Sequence, residues 1–231
     1  MSFSNKYVVV TGGTGALGTA VVGALLENGA QCTIPYVHER EAQAFSHRDH
    51  ANVKLIAVRN LAEEADVARV YAVAQTPLWA SIHIAGGFAM GNVAETDKGG
   101  LMTQLETNLI SCFLCCRAAV RAMNAGGRIV NVAARPALEW RSGAGMGAYT
   151  VAKTGVAALT AALAEEVAKD GILVNAIAPS IMDTPPNRAA MPKADHAAWP
   201  KVEEVAATIL FLASPDNGVT RGAIVPVYGK T

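Results

Sequence analysis

The sequence lacks an excess of charge of either sign, because 19 Lys and Arg are balanced by 19 Asp and Glu. Proteins that bind nucleic acid or an anionic membrane through their overall charge carry a basic excess. We therefore expect neither kind of partner. Charged residues make up 16% of the chain and hydrophobic residues 52%, so its 231 residues can bury a sizeable core without help from disulfides.

Cysteine is scarce, and its spacing excludes a disulfide framework. Three of the four cysteines, Cys112, Cys115 and Cys116, lie in one apolar helical run, and Cys32 lies far from them in the chain. Disulfide-stabilised domains and zinc fingers need cysteines in matched, regularly spaced pairs. We expect four small core or interface residues and no metal site.

The beginning of the chain lacks the features of a signal peptide or a membrane-spanning segment. Residues 1–6 are mostly polar and lead directly into the short apolar run 7–10. A secretory signal needs a longer apolar stretch after a basic start, and a spanning helix needs about 20 apolar residues. We therefore expect a cytoplasmic protein.

A glycine-rich turn follows the first apolar run. Residues 7–10 are typical of a buried strand, residues 19–27 of a helix and residues 31–36 of a second strand. The glycines between the first strand and the helix follow the pattern G-x-G-x-x-G. Because they have no Cβ, the backbone can approach a pyrophosphate at the positive end of the helix, which predicts nucleotide binding. The predicted cofactor-binding residues of this turn are Gly12, Gly13, Thr14, Gly15, Ala16, Leu17 and Gly18.

The end of the second strand bears on the choice between NAD and NADP. Tyr36 stands where a ribose-binding Asp is usual, and two possible phosphate partners, His38 and Arg40, follow it. This pattern mildly favours NADP(H) over NAD(H), although the same two residues suit an ordinary solvated helix start equally well. A third strand over 53–58 is followed by Asn60, whose amide is predicted to reach the adenine edge.

Strand and helix patterns alternate along the rest of the chain. The further strands are predicted at 78–85, 128–133, 172–178 and 223–228, and the main further helices at 102–123 and 202–213. This alternation predicts an α/β fold with a single Rossmann-type domain over 1–231, built on a doubly wound parallel sheet. The proline-rich segment 181–200 breaks the alternation and is predicted to be a lid or substrate loop.

A second glycine-rich turn follows the fourth predicted strand, at the edge where open parallel sheets bind ligands. Its residues Ala85, Gly86 and Gly87 are therefore predicted to contact the cofactor. His83 lies inside the strand, and we expect it to be a hydrogen-bonded core residue rather than a catalytic one.

Tyr149 and Lys153 are four residues apart in a run of helical character, so they share one face of a helix. An unperturbed Tyr titrates near pH ~10, and an ammonium beside it favours the phenolate. The pair is therefore predicted to transfer protons, with Lys153 lowering the pKa of Tyr149. Ordinary amphipathic helices also show this spacing, so the pair alone leaves a purely structural role open.

Together these motifs resemble those of the short-chain dehydrogenase/reductase family, over nearly the whole chain. The resemblance covers the first glycine turn, Ala85 and Gly86, the Tyr149 and Lys153 pair, and the segments 174–179 and 184–185. It implies three catalytic residues: Tyr149 as the acid/base, Lys153 as its partner and holder of the nicotinamide ribose, and Asn108 as the support of a proton-relay water. It also implies contacts on the nicotinamide side from Pro179, Ser180, Ile181 and Thr184.

The chain departs from the family pattern at the usual catalytic Ser. Ala134 stands at that position, and a methyl group cannot donate a hydrogen bond. We expect Ser142 or a water to orient the substrate instead. A similar loss occurs in dihydropteridine reductase, which the chain also resembles in both glycine turns. His83 and Ile84 replace the two amides of the family's Asn-Asn-Ala-Gly motif.

The resemblance implies an NAD(P)-dependent oxidoreductase that transfers hydride between nicotinamide and a carbonyl, imine or quinonoid small molecule. The alternative is a nucleotide-binding regulatory or scaffold protein with little or no turnover, in which Ala134 marks a loss of catalysis. Family members commonly pair through two helices, so a homodimer or homotetramer is expected. The small residues that suit such a contact are Ala157, Ala158, Ala161, Ala162 and Ala164.

Overall fold

A seven-stranded parallel sheet forms the centre of the protein. The structure is a computed structural model that describes residues 1–124 and 126–231. The strands are β1 (Tyr7–Thr11), β2 (Gln31–Tyr36), β3 (Val53–Ala57), β4 (Leu78–His83), β5 (Gly127–Val132), β6 (Ile172–Pro179) and β7 (Ile224–Val227). Their order is β3-β2-β1-β4-β5-β6-β7, so the direction of winding reverses between β1 and β4. The predicted Rossmann-type sheet is confirmed.

Helices cover both faces of the sheet. They are α1 (Ala16–Glu27), α2 (Glu39–Ala44), α3 (Glu64–Val73), α4 (Lys98–Gln104), α5 (Ser111–Ala122), α6 (Gly147–Glu166), α7 (Pro185–Ala190) and α8 (Val202–Ala213). Helices α1 and α8 pack together on one face, and α3, α5 and α6 cover the other. Side chains of β1 alternate between the two cores: Val8 and Val10 enter the first, Val9 the second. Burial on both faces explains why the strands are continuous apolar runs.

The helix predicted at 102–123 begins earlier and is interrupted. It begins at Lys98, because the Asp97 side chain accepts a hydrogen bond from Gly100 N–H at 2.7 Å and caps α4. Between α4 and α5 the chain forms a π-helical turn, Leu105–Ile110. Glycine weakens the helical pattern at the start, and one π turn is too short to change the hydrophobic period, so the sequence reveals neither feature.

The segment 181–200 contains more regular structure than expected. Two prolines begin α7 at Pro185, because proline suits the first helical positions, where no N–H partner is needed. The two ends of the segment are joined by a hydrogen bond from Asp183 N to Pro200 O at 2.9 Å, and Arg188 forms an ion pair with Asp183. The segment is therefore a loop whose two ends are joined by a hydrogen bond.

None of the helices in the described residues is both long enough and apolar enough to cross a bilayer. The other element bounds agree closely with the sequence-based predictions, and those of β2 and α8 are identical to them.

Candidate active site

Two glycine turns meet where the strand order reverses. Thr11, the last residue of β1, accepts hydrogen bonds at 3.1 Å from the N–H groups of Ile84 and Ala85, which is why β4 ends at His83. A Cβ on Gly12, whose φ is +68°, would lie 2.6 Å from Ala85 N, so only glycine fits there. The carboxyl ends of β1 and β4 thus form one crevice, the place where doubly wound sheets bind dinucleotides.

The first turn leaves room for a phosphate group at the N-terminus of α1. Gly15 precedes this helix with a φ of −78°, which suits any residue, and a Cβ there would approach only Gly12 O, at 3.4 Å. A Cβ on Gly18 would overlap the Gly12 carbonyl oxygen and lie 2.6 Å from Gly13 Cα. Gly18 is therefore needed for packing, whereas the open space at Gly15, next to exposed Ala16, fits a pyrophosphate.

Carboxylates as well as basic groups follow β2. Tyr36 Oη donates a hydrogen bond to Glu39 at 3.1 Å, which raises the pKa of Tyr36. Thr14 Oγ1 of the glycine turn donates to Glu41 at 3.4 Å. The sequence does not single out these two glutamates, because acidic residues are ordinary in the first turn of a helix. The two predicted phosphate partners are exposed, namely His38 and Arg40.

Asn60 lies in a turn that a buried carboxylate holds in place. Asp66 Oδ2 accepts hydrogen bonds from the backbone N–H groups of Asn60 and Arg59, each at 2.9 Å, and Arg69 donates to Oδ1 at 3.1 Å. The Asn60 N–H is the largest of the influences that lower the pKa of Asp66. The Asn60 side chain is exposed, and its Oδ1 accepts the Ala62 N–H at 2.9 Å. Asp66 thus positions Asn60, although the sequence does not single it out.

Helix α6 places Tyr149 and Lys153 at the crevice, one turn apart. Lys153 is buried, and its Nζ donates to Val132 O at the end of β5 at 2.8 Å. The same Nζ lies 5.9 Å from the centroid of the Tyr149 ring. Phe88, from the second glycine turn, packs edge-on against Tyr149 with the ring centroids 5.0 Å apart. The aromatic contact holds the phenol at the mouth of the crevice.

Burial, and not the neighbouring ammonium, decides the pKa of Tyr149. It raises the pKa of Tyr149 to about 12 and lowers the pKa of Lys153 to about 8, because desolvation disfavours the charged form of each group. The expectation that Lys153 lowers the pKa of Tyr149 is wrong for this arrangement, since Nζ donates to Val132 O instead of to the phenol. At neutral pH Tyr149 is therefore a protonated phenol.

Asn108 lies in the π-helical turn and is joined to the second glycine turn. Its Oδ1 accepts the Gly87 N–H at 3.1 Å, and its Nδ2 donates to Gly87 O at 2.9 Å. A Cβ on Gly86 would lie 2.7 Å from Asn108 Oδ1 and 3.3 Å from Lys153 Nζ. The structure therefore brings Asn108, Lys153 and the second glycine turn together.

A cavity of about 230 Å³ opens beside these groups. Ala134 lies in its wall, at the position where the family usually has Ser. Ser142 does not replace that hydroxyl, because it lies outside the cavity lining in an exposed 3₁₀ turn, where its Oγ donates to Glu139 O at 2.8 Å. The lining includes Tyr149, Lys153, Asn108, Leu17, Phe88 and Met182.

The segment after β6 contributes its first residues to the cavity and then turns away. Pro179 and Ser180 line the cavity. Ile181 is exposed, and the Thr184 hydroxyl accepts an N–H group of α7 and caps that helix. Met182 lines the cavity instead, although the sequence does not single it out.

His83 is a hydrogen-bonded core residue, as expected. Its Nε2 lies 2.8 Å from Ser81 Oγ and 3.3 Å from Tyr71 Oη. Its Nδ1 lies 2.8 Å from Asn131 Oδ1 on the neighbouring strand. This histidine therefore links β4 to β5 at the centre of the sheet, where the family pattern has an amide.

All four cysteines are buried with free thiols, as expected of core residues. The fold also brings Cys112 and Cys116 against His83, a contact that the spacing along the chain does not predict. A hydrogen bond with the Cys116 thiol lowers the pKa of Cys112, and a hydrogen bond with His83 lowers it further. Burial, in contrast, raises the pKa of Cys32 to about 12. Cys112 therefore differs from an ordinary buried thiol.

The parallel sheet, the glycine crevice and the Tyr149 and Lys153 pair define a class of protein, the dinucleotide-dependent oxidoreductases. Residues 13–229 match the family model described as enoyl-(acyl carrier protein) reductase. The chain belongs to the short-chain dehydrogenase/reductase family, whose members are NAD(P)-dependent oxidoreductases.

Individual relatives match along the whole chain. Galactitol 2-dehydrogenase from Rhizobium johnstonii is 33% identical over an alignment of 251 positions that covers 98% of this chain and 97% of that protein. A short-chain dehydrogenase/reductase from Serratia marcescens superposes with a TM-score of 0.89 at 28% identity, covering 100% and 99% of the two chains. A blue fluorescent protein from a metagenomic library, whose structure was solved with NADPH, superposes with a TM-score of 0.89 at 26% identity and with the same coverage.

We expect Gly15→Ala and Gly18→Ala to have different effects. The new methyl group of Gly15→Ala enters the open space before α1, so it should weaken the binding of NADH and NADPH about tenfold or more and leave Tm nearly unchanged. Gly18→Ala collides with the backbone of the turn and should lower Tm. Fluorescence titration and thermal melts measure the two effects. Unchanged cofactor binding by Gly15→Ala would show that this space is not the phosphate site.

Proposed function

We propose that the protein transfers hydride between a nicotinamide dinucleotide and a carbonyl, imine or quinonoid small molecule, with Tyr149 as the acid/base. The observation that carries this proposal is the meeting of Tyr149, Lys153 and Asn108 at one cavity beside the glycine crevice. A protein that only bound the nucleotide would have no chemical use for a half-buried phenol and a buried ammonium at this place.

The two glycine turns supply the residues that would hold the cofactor. Gly15 and the N-terminus of α1 would hold the pyrophosphate, Lys153 the nicotinamide ribose, and Pro179 and Ser180 the nicotinamide side. When bound, the nicotinamide ring supplies hydride for a reduction or accepts it for an oxidation. Asn60, whose backbone Asp66 holds, would contact the adenine.

Tyr149 holds the proton that the substrate oxygen receives. Because burial raises its pKa to about 12, the phenol stays protonated at neutral pH and is ready to act as the acid in a reduction. Lys153, whose pKa is lowered to about 8, is still mostly cationic at neutral pH, and its ammonium donates to Val132 O at 2.8 Å. In the oxidative direction the Tyr149 phenolate takes the proton back.

The cavity wall favours a substrate that needs only one hydrogen-bond donor. Ala134 presents a methyl group where the family usually has a donor, and the Ser180 hydroxyl already donates to Tyr228 O at 2.9 Å. Phe88 and Met182 add apolar surface. An activated acceptor such as a quinonoid ring needs less help from a second donor. Among the carbonyl, imine and quinonoid classes of substrate, we therefore favour a neutral, activated quinonoid ring.

A nucleotide-binding regulatory or scaffold protein is the second candidate. The observation that favours it is Ala134, which removes part of the usual machinery. The two candidates differ in whether Tyr149 matters to turnover, so one substitution series separates them.

We expect the wild type to oxidise NADH or NADPH with at least one of a set of aldehydes, ketones, quinones and quinonoid pterins. Tyr149→Phe removes only the proton donor, so turnover should fall on the order of a hundredfold or more while cofactor affinity stays nearly unchanged. Lys153→Ala should impair both. Ser142→Ala is the matched control, because it removes a hydroxyl outside the cavity and should keep full activity.

Turnover that survives in Tyr149→Phe would contradict the assignment of the acid/base. Cofactor binding without turnover on any of these acceptors would favour the regulatory candidate. Steady-state absorbance assays and fluorescence titration provide the two measurements.

For the choice of cofactor, we propose a mild preference for NADP(H) that results from opposed charges. Arg40 and His38 favour the additional phosphate, whereas Glu41 and Glu39 oppose it. Arg40→Ala should weaken NADPH selectively, since a charge-assisted phosphate contact contributes about 1.5 to 3 kcal/mol, and Glu41→Gln should strengthen NADPH selectively. Fluorescence titrations with both cofactors test this. Equal losses for NADH and NADPH in Arg40→Ala would rule out Arg40 as the phosphate partner.

We propose that copies of the chain pair through α5 and α6. Phe113 of α5 is 49% exposed, although it is large and apolar. Ala164, which was expected at the interface, is buried in the core instead. Light scattering at micromolar concentration should show a dimer or tetramer, and Phe113→Glu should shift it towards the monomer. A monomeric wild type would contradict the pairing. The exposed small residues of α6 include Ala158, Ala161 and Ala162.

Two further expectations from the sequence stay predictions. We propose that 181–200 is the substrate loop of the single domain over 1–231, and Met182 supports this because it lines the cavity. The cytoplasmic location is likewise a prediction.

A further inference from the structure

Four polar or thiol side chains from three elements meet in the core behind the active site. They are His83 of β4, Cys112 and Cys116 of α5, and Asn131 of β5, and all four are buried. The potential ligand atoms of His83, Cys112 and Cys116 lie within 4.8 Å of one another. The proposed reaction uses none of these groups, so their meeting needs a separate explanation.

The separations between the four donor atoms approach those of a tetrahedral metal site. Asn131 Oδ1 lies 2.8 Å from His83 Nδ1, 3.3 Å from Cys112 Sγ and 3.5 Å from Cys116 Sγ. Cys116 Sγ lies 3.5 Å from His83 Nδ1. Zinc bonds of about 2.0 to 2.3 Å at tetrahedral angles separate neighbouring ligand atoms by about 3.3 to 3.8 Å. Of these four distances, the one from Asn131 to His83 has to open, by about 0.5 Å, to meet that geometry.

A hydrogen bond with Thr160 orients the Asn131 side chain so that its oxygen faces the other three ligand atoms. Thr160 Oγ1 donates its hydrogen to Val156 O at 2.8 Å, so it must accept from Asn131 Nδ2, at 2.9 Å. Because Thr160 accepts this hydrogen bond, the atom of the Asn131 amide that faces it must be the nitrogen. The amide oxygen is therefore presented to the cluster without any rotation of the side chain.

The second ring nitrogen of His83 has a partner that can accept its hydrogen. His83 Nε2 lies 2.8 Å from Ser81 Oγ, which lies 2.7 Å from Tyr71 Oη. A histidine that binds a metal through one nitrogen usually donates the N–H of the other to a carboxylate, a backbone carbonyl or a water, and the Ser81 hydroxyl can accept in the same way. Each of these two hydroxyls can donate or accept a hydrogen bond. Ser81 Oγ can therefore accept from the protonated Nε2 when Nδ1 becomes the metal ligand.

We propose that His83 Nδ1, the Cys112 and Cys116 thiolates and Asn131 Oδ1 bind one thiophilic divalent cation of the Zn²⁺ type in a closed structural site. Two thiolates balance the charge of the cation, and the neutral imidazole and amide add none, so the filled site buries no net charge. The two thiol protons pass to solvent. The sulfur ligands select against Mg²⁺ and Ca²⁺, which prefer oxygen ligands.

The filled site would connect the elements that support the proposed catalytic groups. Cys112 follows Asn108 by one helical turn, and Asn131 precedes Val132, whose carbonyl accepts the hydrogen bond from Lys153. The cation thus joins β4, β5 and α5 directly behind the cavity. Its role is structural, because the ligands face the core and not the cavity lining.

Metal content of the full-length protein tests this site without reference to activity. The protein is refolded with Zn²⁺ or with Co²⁺, freed of excess metal and measured by plasma mass spectrometry. We expect one Zn²⁺ per chain, a thiolate-to-cobalt charge-transfer absorption in the Co²⁺ sample, and a Tm that rises with the Zn²⁺ concentration before saturation.

Three variants make the test specific. Cys116→Ser and His83→Asn should each lose the metal, and His83→Asn should fold because it restores the amide that the family pattern has there; circular dichroism verifies folding. Cys32→Ser is the matched control, a buried thiol of β2 outside the cluster, and should keep one metal per chain. The proposal is overturned if the wild type retains no more metal than folded His83→Asn, or if Cys32→Ser loses the metal as well.

Discussion

The hydrogen bonds from Ile84 and Ala85 to the carbonyl of Thr11 are the contact on which the rest of the site depends. They bring the end of β4 against the end of β1, so closely that Gly12 has no room for a Cβ. The crevice between the two turns exists because of this contact. The second turn then positions Asn108, since Gly87 holds both polar atoms of its amide.

Desolvation is the electrostatic constraint on the two ionisable groups of the cavity. Raising the pKa of Tyr149 from 10.0 to about 12 disfavours its phenolate by roughly 3 kcal/mol. The same burial disfavours the ammonium of Lys153, which Val132 O partly compensates with a hydrogen bond. A substrate that enters this cavity therefore meets a protonated phenol. This suits reduction at neutral pH.

In the polar core behind the cavity, neighbouring side chains accommodate a histidine at a position where the family has an amide. His83 stands where the family pattern has an amide, and its two ring nitrogens contact Ser81 and Asn131, so neither nitrogen is left without a partner. The larger ring also reaches the thiol of Cys116, which brings α5 into the same network. A residue that keeps the sheet connected thereby creates the four-donor cluster.

Local patterns in the sequence alone determined the alternation of strands and helices and the places of both glycine turns. They also determined that Tyr149 and Lys153 share a face, because each of these features depends on residues a few positions apart. The apolar runs of β2 and α8 could be bounded to the residue for the same reason. The tertiary structure alone decided the direction of Glu39 and Glu41, the π turn around Asn108 and the cluster at His83. Apart from the local hydrogen bond between Tyr36 and Glu39, these features depend on contacts between segments far apart in the chain. The pKa of Tyr149 departs from its expected direction because folding removes water from around the phenol.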